Sequence, residues 1–282
     1  MPTKFKPYAL KNQEKLSVWR KMKLAITGKG GVGKTFIAGT LARLLAKESY
    51  KVLAVDADPN TNLAYTLGFK EEEIEKIVPL ALNRELITER TEIPGLHPEV
   101  AFRLFPKVED IFDLFGIRGP DGVMLLVMGT VRDGGTGCLC PANAFLRTLL
   151  HHLLVERDEF VILDMEAGIE HLGRGTAKNV DVMLVAIEPN FKAIETAQRI
   201  KKLASDLGLH RFAALANKIS TEEEKKFVDV ELEKYNIPLL GVIPFDKQIA
   251  YADMIKVAPI DYAPLSPAIE AVNRLKDKIL HI

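Results

Sequence analysis

Leu24-Ala25-Ile26-Thr27-Gly28-Lys29-Gly30-Gly31-Val32-Gly33-Lys34-Thr35-Phe36 decides the fold. The apolar run Leu24 to Ile26 reads as a strand, Gly28 to Thr35 fits G-x-x-x-x-G-K-[ST], and a helix is expected to open at Phe36. In such a loop the glycines let the backbone turn, so that the N–H groups from Gly28 through Lys29, Gly30, Gly31, Val32 and Gly33 point inward at phosphates. Lys34 brings a point charge toward the β- and γ-phosphates, and the Thr35 hydroxyl can ligate Mg2+. The helix beginning at Phe36 adds the positive end of its dipole. A chance glycine-rich turn would not bring strand, loop and helix in the order this chemistry needs. Phe36 to Lys47 then places Ile37, Leu41, Leu44 and Leu45 at helical spacing, which marks a buried face.

Working outward, 282 residues with 48% apolar content are enough for one large α/β domain, expected over residues 22–282. Residues 1–21 are mixed and lysine-rich and read as an N-terminal extension, with Met22 an alternative start directly before the first strand. The 38 basic residues balance 38 acidic ones, so composition advertises neither a nucleic-acid surface nor an anionic-membrane surface. No apolar run reaches membrane-spanning length and no apolar segment follows the N-terminal lysines, so a cytoplasmic location is expected. Strands alternate with helices throughout, which predicts a mostly parallel sheet with helices on both faces.

Three further stretches carry chemistry. Val52 to Val55 reads as a buried strand ending in Asp56-Ala57-Asp58-Pro59-Asn60, which sets carboxylates at the carboxyl end of a parallel strand beside the phosphate loop. For Asp58 the competing structural reading is an N-cap of a helix starting near Thr61. Phe160 to Leu163 is an apolar run ending in Asp164, a pattern suited to holding Mg2+ through water. Between them, Val123 to Met128 reads as a strand followed by a glycine-rich loop and Cys138-Leu139-Cys140-Pro141. Pro141 suits the first position of a helix that continues to Glu156, and a helix N-terminus favours the thiolate form that binds metal. In an extended segment Cys138 and Cys140 point to the same side and can share one ion. They supply half a tetrahedral shell, and no other cysteine exists in the chain. A two-fold dimer supplies the missing pair by symmetry. A redox pair or packing thiols are the alternatives, and soft thiolates suit zinc, nickel, copper(I) or an iron–sulfur cluster alike. Residues 70–120 are the least readable part, with amphipathic pieces at Glu71 to Ile77 and Val108 to Phe115 separated by prolines. They read as an excursion from the sheet and a surface for a client protein.

Lys29, a second lysine inside the phosphate loop, resembles the signature of the dimeric ATPases that include the Min and Par positioning proteins, the nitrogenase iron protein and metal-centre maturation factors. The resemblance implies that Lys29 reaches in trans to the partner's nucleotide, that Asp58 positions or activates water, and that Asp56 has a magnesium-side or switch role. It places Gly168 at the γ-phosphate in a second switch and Asn217 at the adenine, with Lys218 beside it and the loop from Pro244 to Asp246 on the base's other side. Ser220 stands where a guanine reader would have a carboxylate. Glu166, the run Glu170-His171-Leu172-Gly173-Arg174-Gly175-Thr176 and the cysteine pair look like the CooC-type accessory proteins of nickel carbon monoxide dehydrogenase and acetyl-CoA synthase. That likeness implies a homodimer using ATP and Mg2+, Ni2+ or Zn2+ at the interface thiolates, and one of those two enzymes as client, with neither nucleic acid nor membrane as partner. An electron donor like the nitrogenase iron protein, an iron–sulfur scaffold and a positioning ATPase are the other readings. The last helix, Ser266 to Leu280, is expected to pack on the sheet through Ile269, Val272, Leu275 and Ile279.

Overall fold

The computed structural model describes residues 22–96, 101–130, 140–167, 172 and 176–281. Eight described strands form one sheet: β1 Lys23–Thr27, β2 Val52–Ala57, β3 Ile117–Arg118, β4 Met124–Val127, β5 Phe160–Met165, β6 Val182–Ile187, β7 Phe212–Ile219 and β8 Leu239–Pro244. Their order is β3-β4-β2-β5-β1-β6-β7-β8, parallel at every pairing except β3 with β4. The α-helices in chain order are α1 Lys34–Lys47, α2 Leu63–Leu67, α3 Glu71–Ile74, α4 Arg84–Thr91, α5 Ile111–Phe115, α6 Pro141–Glu156, α7 Phe191–Asp206, α8 Glu222–Lys234, α9 Lys247–Met254, α10 Pro259–Tyr262 and α11 Pro267–Ile279.

The strands are continuous apolar runs because both faces of the sheet are covered. Successive side chains go to opposite sides, so Leu24, Ile26, Ala54 and Ile162 join one core while Ala25, Leu53, Val55 and Leu163 join the other. The first core is closed by α1 and α11, the second by α6, α7 and α8. As expected, α11 buries Ile269, Val272, Leu275 and Ile279, at about 2 kcal/mol for each such side chain removed from water. Arg43 of α1 is buried yet charged. It pairs with Asp121 and Asp261 and donates to the Leu67 carbonyl, tying α1 to three distant segments.

Several boundaries differ from the sequence reading for identifiable reasons. Helix α1 opens at Lys34, two residues before Phe36, because Gly33 provides its left-handed N-cap. Strand β7 runs on through Asn217 and Lys218 to Ile219, with a register irregularity against β8 that absorbs the positive φ of Lys218. The stretch 70–120 is more than an excursion. Leu80, Leu86, Ile87, Val108, Ile111 and Phe112 enter the second core, and β3 adds an antiparallel edge to the sheet. The helix expected to reach Ile77 ends at Ile74, and the one expected from Val108 begins at Ile111.

Candidate nucleotide site

Strand β1 lies between β5 and β6, and the loop Gly28–Thr35 leaves its carboxyl end for α1. A parallel sheet offers its crevice at the carboxyl ends of its strands, where α1 also points its N-terminus. Two loop glycines are required by close approach. A Cβ on Gly28 (φ +144°) would lie 2.4 Å from the Ala186 carbonyl oxygen, and one on Gly33 (φ +92°) would lie 2.2 Å from Asn217 Nδ2. From β7, Asn217 Nδ2 donates to the Val32 carbonyl at 2.8 Å, and Lys218 Nζ donates to the Gly31 carbonyl at 2.7 Å. Lys218 also pairs with Glu188 at 2.7 Å. Two adjacent residues expected at the base thus also clamp the phosphate loop from behind. Glu188 was not anticipated, although its position just past the carboxyl end of β6 is the signal that finds such residues.

Lys34 is buried, with Nζ 3.4 Å from Asp58 Oδ2, while Lys29 is exposed at the loop crest with Gly30 and Gly31. Asp56 and Asp164 are paired in register across β2 and β5 and are both buried. Burial, then the negative charge of Asp164, push the Asp56 carboxyl well above the ordinary range. Burial lifts Asp164 to about 6, with the Thr35 hydroxyl and the Lys34 charge pulling the other way. Neither Asp164 oxygen makes a hydrogen bond of good geometry. A buried carboxylate with both oxygens unsatisfied, beside a threonine hydroxyl, fits Mg2+, which keeps most of its waters and takes one or two protein ligands plus phosphate oxygens. Among the described residues no group of three or more His, Cys, Asp or Glu forms an all-protein metal cage.

The capping reading of Asp58 is corrected. Asp56 Oδ2 accepts the Leu63 amide at the start of α2 (2.9 Å), whereas Asp58 Oδ1 accepts Asn60 N–H (2.9 Å) within its own turn. Asp56 lies within β2 and is fully buried with its carboxylate at the start of α2, whereas Asp58 lies past the strand's end in a turn of its own, within 3.4 Å of Lys34 Nζ. The main-chain oxygen of Asp56 accepts the amides of Met128 (2.9 Å) and Gly129 (3.0 Å), where the chain leaves β4. Thr27 Oγ donates to the Glu166 carbonyl at 2.8 Å, fastening the end of β1 to the segment after β5.

Cys140 is the N-cap residue of α6, partly exposed, with Pro141 in the first turn. A small cavity of about 30 Å³ separates Asn143 and Arg147 of this helix from Ala57, Met128 and Met165 at the strand ends. Cys138, Gly168 and His171 lie outside the described residues. A second, larger cleft of about 590 Å³ joins the phosphate loop, Thr35, Phe36 and Asp58 to Asn217, Lys218, Pro244, Phe245 and Asp246. That volume is typical of a small-molecule site. Asp246 also caps α9, accepting Gln248 N–H and the Ser266 hydroxyl.

The profile of the CobQ/CobB/MinD/ParA nucleotide binding domain matches residues 23–260. The chain belongs to this nucleotide-binding family. Within the family it is 44% identical over 246 residues to the carbon monoxide dehydrogenase accessory protein CooC of Rhodospirillum rubrum, covering 86% of this chain and 91% of that one. An uncharacterised ATP-binding protein of Methanocaldococcus jannaschii is 48% identical over 235 residues, covering 83% and 89%. Among solved structures, the septum site-determining protein MinD complexed with Mg-ADP from Pyrococcus horikoshii superposes with a TM-score of 0.65 at 20% identity, over 92% of this chain and 96% of that one. At that identity the likeness speaks for the P-loop NTPase fold alone. No helix among the described residues of this family member is long and apolar enough to cross a membrane.

Proposed function

We propose that this chain is an ATP-dependent metallochaperone that closes as a homodimer around ATP and a thiolate-bound metal, and assists nickel insertion into carbon monoxide dehydrogenase or acetyl-CoA synthase. The observation that carries the reading is the seating of Cys140. It heads a helix whose first turns share a small cavity with Ala57 and Met165, at the ends of the two strands that bear Asp56 and Asp164. The extensive identity to CooC supports the same client class.

The chemistry is hydrolysis of ATP to ADP and phosphate. Loop amides from Gly28 to Thr35 and the N-terminus of α1 bind the phosphates. Lys34, resting beside Asp58 at 3.4 Å, turns its charge to the β- and γ-phosphates when they arrive. Asp58, relieved of that partner, holds and orients the attacking water, and the switch Gly168 meets the γ-phosphate. Asp164 and Thr35 would hold Mg2+, which supplies charge neutralisation on the transferring phosphoryl group. Lys29, exposed at the loop crest, reaches the nucleotide of the second subunit. Asn217, Lys218 and Pro244 enclose the adenine. Nickel, or zinc in its place, is cargo held by the Cys138 and Cys140 pairs of two subunits.

Sedimentation of the protein with ATP and with Ni2+ or Zn2+, paired with metal content per chain, tests this reading. The expected result is a ligand-induced dimer with one metal per two chains, lost in the Cys138→Ser/Cys140→Ser variant. Metal binding that survives the double substitution overturns it. Iron and sulfide in anaerobically purified protein would redirect it to an electron-transfer or scaffold role.

A further inference from the structure

The mouth of the nucleotide cleft is bridged by a lysine on strained backbone. Lys256 follows α9 with φ +55°, its amide bonded to the Asp253 carbonyl and the next amide, of Val257, to the Ala252 carbonyl. This is the left-handed position after a helix, where glycine or asparagine is favoured. Ser49 and Asn236 occupy the same position after α1 and α8, and both are short polar residues. Lys256 instead sends a long side chain away from its own helix. Its Nζ lies 2.9 Å from Glu71 Oε1, at the start of α3, and 5.2 Å from the ring centroid of Tyr65 on α2. Glu71 and Lys256 are 185 residues apart.

Lys256 and Tyr65 both line the large cleft. Asn62, Tyr65 and Thr66 of the α2 segment and Asp253, Lys256 and Val257 at the end of α9 all belong to its lining. Glu71 lies just past α2 and outside the cleft lining, so the ion pair ties the Lys256 side of the cleft to the segment that follows the α2 side. Moreover, the α2 side hangs on Asp56 through the Leu63 amide, so it is fixed to the carboxylate pair of the phosphate end.

We propose that Lys256, Glu71 and Tyr65 form a strap across this rim, and that nucleotide enters and leaves only while the strap is open. The inference rests on the cleft being the nucleotide site. A strap that is closed with the site filled or empty slows uptake and release by the same factor and leaves the dissociation constant unchanged. A lysine that merely touched the nucleotide would slow release alone.

The test is stopped-flow binding and release of a fluorescent ADP analogue with Mg2+, on the wild type, Lys256→Gly, Glu71→Gln and the double variant. Glycine suits the left-handed position, so Lys256→Gly keeps the fold, and thermal unfolding verifies it. Exposed ion pairs are weak, so both rate constants should rise about two- to fivefold in low salt. The double variant should be no faster than either single one. Raising salt should narrow the gap in both rate constants between the wild type and Lys256→Gly, since the screening common to nucleotide binding acts on both proteins alike. Unchanged rates in both single variants, or faster release with unchanged uptake, overturn the strap while leaving the nucleotide site intact. A wild type that binds no analogue overturns the site reading and the strap with it.

Discussion

Replacing Asp164 by asparagine should remove most of the protein's loss of stability toward neutral pH in chelator and, on the proposed reading, disable magnesium-dependent hydrolysis. The carboxyl is buried, and its pKa is raised from 3.8 to about 6 by that burial. Between these values the folded chain holds a proton that the unfolded chain has released. Stability therefore falls as pH rises through this window and levels off above it. A shift of about 2 units corresponds to about 3 kcal/mol. For a chain of this length that is about 5 °C in melting temperature. Asp56 faces Asp164 in register and is displaced in the same direction, so the two titrate together and the wild-type slope carries both. The amide of asparagine adds a constant cost if its donors find no partner, but a constant cost does not alter a slope. Thermal unfolding in EDTA from pH 4.5 to 7.5 should show the wild type losing stability toward neutral pH and Asp164→Asn losing much less. Mg-ADP should flatten the wild-type curve by favouring the ionised carboxylate. Parallel curves for the two proteins would refute the burial argument.

Gly33→Ala should weaken ADP binding at least about tenfold by calorimetry, because left-handed strain and the 2.2 Å approach to Asn217 Nδ2 act together. Gly31→Ala is the control, since it shares the left-handed backbone (φ +80°) but its Cβ meets nothing within 4 Å, so its loss should be clearly smaller. Lys29→Ala should change unfolding free energy by no more than about 0.5 kcal/mol, as for an ordinary surface site, yet abolish in sedimentation the ATP-dependent dimer that the proposed function requires. Arg43→Ala should cost about 2–3 kcal/mol in urea unfolding, because Asp121 and Asp261 are partly solvated and recover some of the loss. Arg43→Met should cost less, since it refills the volume.

What the sequence disclosed tracks how local the physics is. The phosphate loop, the apolar run into Asp164 and the face of α11 each rest on spacing within a dozen residues, and the structure places them accordingly. Arg43 reads as one more charge on a helix, because its partners lie 78 and 218 residues away. Leu80, Leu86 and Val108 follow no single period, so their common burial against α6 and the strands is visible only after folding. Asp56 and Asp58 are two residues apart and chemically identical. Asp56 caps α2 because it sits fully buried inside β2, which runs to Ala57, past the predicted Val55, while Asp58 turns away in the loop beyond the strand and accepts Asn60 N–H. That Asn217 and Lys218 also hold the phosphate loop is not legible locally, because their bonds to the Val32 and Gly31 carbonyls cross 185 and 187 residues.

That same placement of Asp56 bears on how hydrolysis could move a metal. One residue serves three neighbours: its carboxylate faces Asp164 and holds α2, while its carbonyl holds the two amides that begin the connection to the cysteines. On the proposed reading, Asp164 would hold magnesium opposite Asp56, and the backbone of Asp56 fixes Met128 and Gly129, where the connection toward Cys140 begins. The connection begins past Gly129 and ends at α6, which shares a small cavity with Met165, the neighbour of Asp164. Both ends lead back to the same carboxylate pair. A metal held by paired thiolates on a two-fold axis would then feel phosphate loss in two subunits at once, without any separate relay. The carboxylate pair is where that coupling can be cut: Asp56→Asn keeps a carbonyl oxygen to accept the Leu63 amide and lowers the charge opposite Asp164. It should leave metal affinity in the absence of nucleotide within about threefold of wild type. ATP-dependent metal release, followed with a chromogenic chelator, should be lost. Release that still follows hydrolysis in this variant would show that the signal reaches the thiolates by another path.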